Sequence, residues 1–178
     1  MNLVEILVEK LEKEKLWEEE IYLKRNEFLK EENTTDSNLY YIISGSLRIF
    51  IRDNSEEKTI RFGYEKNIIA ALDSFIHEGK SVYCIQALKK TTLKRIYKKT
   101  FMNFIQKSEE NKSFWGSILL YHILQQMERE KDLLIASPLE RYQRVLKRSP
   151  QLFQEIPHKF IANYLRMSPE TLSRLKKS

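Results

Sequence analysis

Cysteine occurs once in 178 residues, at Cys84. A lone thiol excludes an internal disulfide framework and a cysteine-ligated iron–sulfur cluster. Glycine is almost as scarce, at four residues, so no glycine-rich phosphate loop can be built. The three histidines, His77, His122 and His158, are scattered without metal-ligand spacing, and each reads as a surface or helix-face residue. No nucleophile stands beside a visible base, which argues against an enzyme. No apolar run approaches the roughly 20 residues of a membrane span. Residues 1–10 already carry Glu5, Glu9 and Lys10, unlike a secretory leader. These absences predict a cytoplasmic protein without a resident metal or cofactor. Cys84, among apolar neighbours, reads as a small buried hydrophobe rather than a redox sensor.

What the chain does have is charge, unevenly placed. Hydrophobic residues make up 42% and charged residues 31%, the balance of a folded soluble chain. The net charge of +6 is confined to residues 137–178, which hold nine basic residues and three acids. The totals of 31 basic and 25 acidic residues leave 22 of each for the rest of the chain, which is therefore neutral. A basic end suits a polyanionic partner or mere solubility, so the pattern inside it must decide.

Val4, Leu7, Val8 and Leu11 form the stripe of an amphipathic helix. From Glu20 to Ile96 the period becomes two: Leu47, Ile49 and Ile51 alternate with Arg48 and Arg52, and Ile60 and Phe62 with Thr59 and Arg61. Turn signals at residues 33–38, 44–46, 53–55 and 77–79 divide these runs, predicting an antiparallel barrel or roll. Helical spacing returns after Tyr97. Residues 113–135 lack proline, and Leu120, Ile123, Met127 and Leu134 form a near-heptad seam interrupted by Glu130, which suits a dimerising helix or ordinary core packing. Ser137-Pro138 then marks a joint, with Ser137 placed to cap a new helix and Glu140 three residues on.

Residues 158–177 carry the pattern of a helix-turn-helix. Ile161 and Leu165 supply the inner edge of its first helix, Ala162 the small residue at the crossing, and Leu172 and Leu175 the anchors of the second. Ser168 is an N-cap and Pro169 fits a first turn. Pro169, Glu170, Thr171, Ser173, Arg174 and Lys177 are left on the outer side. Arg174 can fork onto a guanine edge, Glu170 can accept from a cytosine amino group, and Thr171 can meet a phosphate or a thymine methyl. Lys159, Arg166, Lys176 and Lys177 suit phosphates of double-stranded DNA.

Two stretches resemble the Crp/Fnr family of regulators. Leu39-Tyr40-Tyr41-Ile42-Ile43-Ser44-Gly45-Ser46-Leu47 is similar to its strand–glycine–strand signature, and Met167-Ser168-Pro169-Glu170-Thr171-Leu172-Ser173-Arg174-Leu175 to its recognition helix. The resemblance implies an α+β chain: a cyclic-nucleotide-binding-like antiparallel β-roll (a jelly roll) with flanking helices over 1–112, a long dimerisation helix over 113–136, and a helix-turn-helix over 137–178. It also implies a homodimer on a palindromic operator, with Glu170 and Arg174 reading bases. RNA polymerase and a small-molecule effector stand as further candidate partners, with no residue assigned to either contact.

Three departures qualify the resemblance. Arg166 stands where the family's turn usually has glycine, so a left-handed backbone there would cost roughly 1 kcal/mol and favour remodelling. Only nine residues, 149–157, precede the helix-turn-helix, so the usual β-hairpin wing is reduced or absent. In the ligand cassette, Ala70-Ala71 replace the Gly-Glu pair for ribose and Ser81-Val82 the Arg-Ser pair for the cyclic phosphate. Lys80 and Ser81 offer a point charge rather than a fork, and polar contacts from the long helix fall near Gln126 and Met127. The expectation is a regulator that does not bind cyclic AMP in the usual way; the competing reading is a sensor or scaffold module that has lost operator recognition.

Overall fold

In the computed structural model, residues 3–54 and 56–177 are described; Ser55 of the predicted 53–55 turn lies outside them. Helix α1 (Leu3–Lys13) buries Leu7, Val8 and Leu11, as the stripe requires. Among the described residues eight strands follow: β1 (Glu19–Leu23), β2 (Phe28–Lys30), β3 (Leu39–Ser44), β4 (Ser46–Asp53), β5 (Glu56–Tyr64), β6 (Ile68–Ile69), β7 (Cys84–Ala87) and β8 (Thr91–Ile96), with α2 (Leu72–His77) between β6 and β7. They form two antiparallel four-stranded sheets, ordered β1-β8-β3-β6 and β2-β7-β4-β5. Ile42, Leu47, Ile49, Ile85 and Leu93 meet between the sheets, so the fold is the predicted roll. Gly45, at φ +98, makes the step from β3 in one sheet to β4 in the other. A Cβ there would stand 2.6 Å from the Lys90 carbonyl oxygen, so the corner requires glycine.

A bulge between β4 and β5 alters the simple alternation. Ile49 pairs with Arg61 and Phe50 with Thr59, which leaves Ile60 as the extra residue. Directly paired residues share a face. Arg61 therefore joins Ile49 on one side of the sheet, while Phe62 joins Arg48 on the other. Arg48, read from the alternation as solvent-facing, is buried.

Helices α3 (Lys98–Gln106) and α4 (Glu109–Leu134) close the roll at one end, where Leu7, Leu11, Phe101, Phe104 and Ile118 form a second core with α1. The long helix begins at Glu109, four residues before the expected start, and is capped by Ser108, whose hydroxyl accepts from the Asn111 N–H at 3.1 Å. The joint after α4 is as predicted: the Ser137 hydroxyl accepts from Glu140 N–H and Pro138 opens α5 (Pro138–Arg148). Then come α6 (Pro150–Glu155), α7 (His158–Tyr164) and α8 (Pro169–Leu175). Among the described residues no strand follows β8, so α6 stands where a wing would. No described helix is long and apolar enough to cross a membrane.

Candidate nucleic-acid interface and sensor cavity

The helix-turn-helix is built from its buried side. Ile161, Ala162, Leu165 and Leu172 are fully buried and share a core with Val145, Leu152 and Ile156. Each truncation there would cost about 2–5 kcal/mol for the larger side chains. The Ser168 hydroxyl caps α8 by accepting from the Thr171 N–H at 3.1 Å. Arg166 does adopt the left-handed conformation, at φ 54, so the turn is kept rather than remodelled.

Its support is Arg141, a buried residue of α5. Arg141 Nε donates to the Leu165 carbonyl at 3.0 Å and Nη2 to the Arg166 carbonyl at 3.2 Å. Nη1 donates to the carbonyls of Ile135 and, at 3.1 Å, Ala136. One guanidinium thus satisfies main-chain oxygens of both the turn and the α4–α5 joint. Nothing in the spacing of α5 marks this role; an arginine in a basic tail looks the same whether it faces inward or outward.

On the outer side, Pro169, Glu170, Ser173, Arg174 and Lys177 are exposed, and Thr171 is half-buried. Lys159 and Arg166 are exposed as well. The Glu170 carboxyl sits below the usual carboxylate range, held by its own backbone N–H and then by the Ser168 hydroxyl, so it is an ionised acceptor at neutral pH.

The same unit is docked on the roll. The Arg48 guanidinium lies 3.9 Å from the Phe50 ring centre and 4.5 Å from that of Phe160 on α7. It donates to Gln86 Oε1 from Nε and Nη2, at 3.1 and 2.7 Å. The Phe62 and Tyr164 rings stand 5.4 Å apart. Asn163 bonds the β5 backbone on both sides of Lys58.

The predicted ligand residues scatter. A half-open cavity of about 560 Å³ lies between the roll, α2 and α4. Ala70 lines it with Ile49, Leu72, Ile76, Ile123 and Gln126. Ala71 is buried beneath α2, and Lys80 is exposed. Ser81 donates its N–H to the Thr34 carbonyl, its own carbonyl accepts from the Asn33 N–H, and its hydroxyl accepts from Tyr83 N–H. At the upper edge Arg61 reaches His122 Nδ1 at 3.3 Å and Gln126 Oε1 at 3.4 Å. Burial, and then Arg61, push the His122 pKa down to about 4, so its ring is neutral at pH 7. Arg61 and His122 were not foreseen as site residues: the bulge that turns Arg61 toward α4 leaves no mark on a two-residue period.

Along α4, Leu120, Ile123, Met127 and Leu134 are 63%, 56%, 49% and 85% exposed. With the exposed Leu124 they form an apolar face unusual for a solvated helix.

The chain thus joins a β-roll, a long helix and a compact helix-turn-helix. The chain belongs to the family described as the cyclic nucleotide-binding domain, matched over residues 20–108. Its fold is that of Crp/Fnr regulators. It is similar to FixK2 from Bradyrhizobium japonicum (TM-score 0.73, 13% identity, 89% of this chain and 82% of that one). It is also similar to a CooA variant from Carboxydothermus hydrogenoformans (TM-score 0.70, 19% identity, 99% and 83%). A third likeness is the c-di-GMP responsive regulator CLP from Xanthomonas campestris (TM-score 0.68, 15% identity, 96% and 90%). No curated protein sequence matches the chain.

Proposed function

We propose that this chain is a sequence-specific DNA-binding transcription regulator that grips a palindromic operator as a homodimer. The observation that carries the reading is the outer side of α8, where Glu170, Ser173 and Arg174 are exposed above a buried Leu172. Lys159, Arg166 and Lys177 lie exposed around them as phosphate partners. The exposed apolar face of α4 supports pairing with a second copy. Regulators similar in fold support a non-enzymatic role.

The effector is a separate matter. Two alanines stand where the family binds ribose, Ser81 is tied to Thr34, and the cavity beside Ala70 is largely apolar. Cyclic AMP in the usual pose therefore lacks its partners, and titration calorimetry should show no micromolar binding.

The deciding experiment is selection from random duplex DNA by the purified chain at two salt concentrations. An inverted repeat with half-sites about 10 base pairs apart is expected, and Arg174→Ala should abolish its enrichment. A scaffold that had lost operator recognition would enrich nothing and would be indifferent to that change; the docking of α7 on the roll is the observation in its favour.

A further inference from the structure

A second cavity, of about 220 Å³, lies where β5, the later turns of α4 and the α6–α7 region meet. Its walls include Arg61, Arg129 and Arg148 but no carboxylate. Arg148 is neutralised by the buried Asp132, which also accepts from Arg144 Nε at 3.1 Å. Neither of the other two forms an ion pair among the described residues, although the Asp132 carboxylate is near enough to favour the charge of Arg129. Among the described residues Arg61 reaches the neutral His122 and Gln126, and burial lowers its pKa. Arg129 is 5% exposed, stacks 3.6 Å from the Tyr164 ring centre and donates Nη2 to the Tyr164 carbonyl oxygen. Its Nη1 is buried without a hydrogen-bond partner.

Burying a guanidinium without an ion-pair partner is unfavourable, and an unbonded N–H adds to that. Two such groups on one cavity are a standing electrostatic debit that an anion would remove. We propose that this cavity binds a small phosphorylated molecule, gripped by the guanidinium forks of Arg61 and Arg129. A phosphate fits better than a lone carboxylate, because it carries up to two charges and several acceptor oxygens for two forks. Tyr64, Tyr121 and Gln125 complete the polar walls. The volume admits a phosphate with a short carbon body.

The place of the cavity gives the ligand a role. Arg61 belongs to the roll, Arg129 to the long helix, and Ser149, Leu152 and Tyr164 to the C-terminal unit. An anion held there ties all three together and holds α7 against β5. This site adjoins the apolar cavity beside Ala70, the two sharing Ile60, Arg61, His122 and Gln126 along their common edge, and anion binding to it can be measured without operator DNA.

The test uses the full chain, dialysed free of phosphate, with inorganic phosphate and pyrophosphate as probes, followed by calorimetry and phosphorus NMR. One saturable site per chain is expected, weakened about tenfold or more in Arg61→Gln and in Arg129→Gln, and unchanged in Arg174→Ala. Arg129→Gln also breaks a backbone bond, so Arg61→Gln, whose bonds go only to side chains, is the deciding variant. The inference is overturned if neither probe saturates by about 10 mM, or if Arg61→Gln binds as well as the parent. Loss of binding in Arg174→Ala would place the anion on the DNA-facing side and overturn it too.

Discussion

Asn163 of α7 accepts a hydrogen bond from the Thr59 backbone N–H at 2.7 Å, and its own amide donates to the Glu57 carbonyl at 2.8 Å. A side chain thereby pairs with the free edge of β5 as a neighbouring strand would and fixes the C-terminal unit to the roll. Asn163→Ala leaves a buried N–H and a carbonyl unsatisfied and should cost about 1–3 kcal/mol. Amide exchange at Thr59 should accelerate while that of Leu93, deep in the roll, changes little. Equal exchange at Thr59 in both proteins would show that the docking does not hold.

Arg166 separates two effects that usually travel together. At φ 54 it occupies a backbone region that glycine enters without strain. Arg166→Gly should therefore raise stability by roughly 0.5–1 kcal/mol, offset in part by the freer unfolded chain. With Arg166 a phosphate partner as proposed, it should also lower the salt slope of DNA binding by about one. Thermal melts and binding at a series of salt concentrations read the two effects separately.

His122 predicts a pH dependence. Its pKa is about 4 in the folded chain against 6.5 as the ordinary value. Between those limits the unfolded chain binds the extra proton, so stability falls as pH drops from 6.5 towards 4 and is untouched by this group above 6.5. The loss is on the order of 2 kcal/mol after allowing for partial exposure. In His122→Gln the denaturation midpoint should vary less over that window; an unchanged slope would assign the pH sensitivity elsewhere.

The exposed face of α4 predicts assembly. Leu120→Glu with Met127→Glu should convert a sedimenting dimer to a monomer. Neither residue is buried in the single chain, so secondary structure should persist. A parent chain that sediments as a monomer at micromolar concentration would remove the dimer.

The parts of this molecule that obey one local rule were legible in the residues. The α1 stripe, the cap at Ser137, the Gly45 corner and the buried edge of the helix-turn-helix each follow from a spacing or a conformational demand. The parts that rest on long-range contacts were not. Arg48 looks like an outward strand residue until Phe160 is folded over it, and the bulge at Ile60 reverses the faces of Arg61 and Phe62. Ser81 sits at the expected place in the chain, yet its pairing with Thr34 takes it away from the cavity.

Arg141 has a mechanical consequence. Because one guanidinium holds the carbonyls of the α4–α5 joint and of the turn before α8, the joint has little slack. Rotation of the long helix would not be absorbed there; it would carry α7 and α8 with it as a stiff lever, so that a small turn of α4 becomes a larger displacement at their far end.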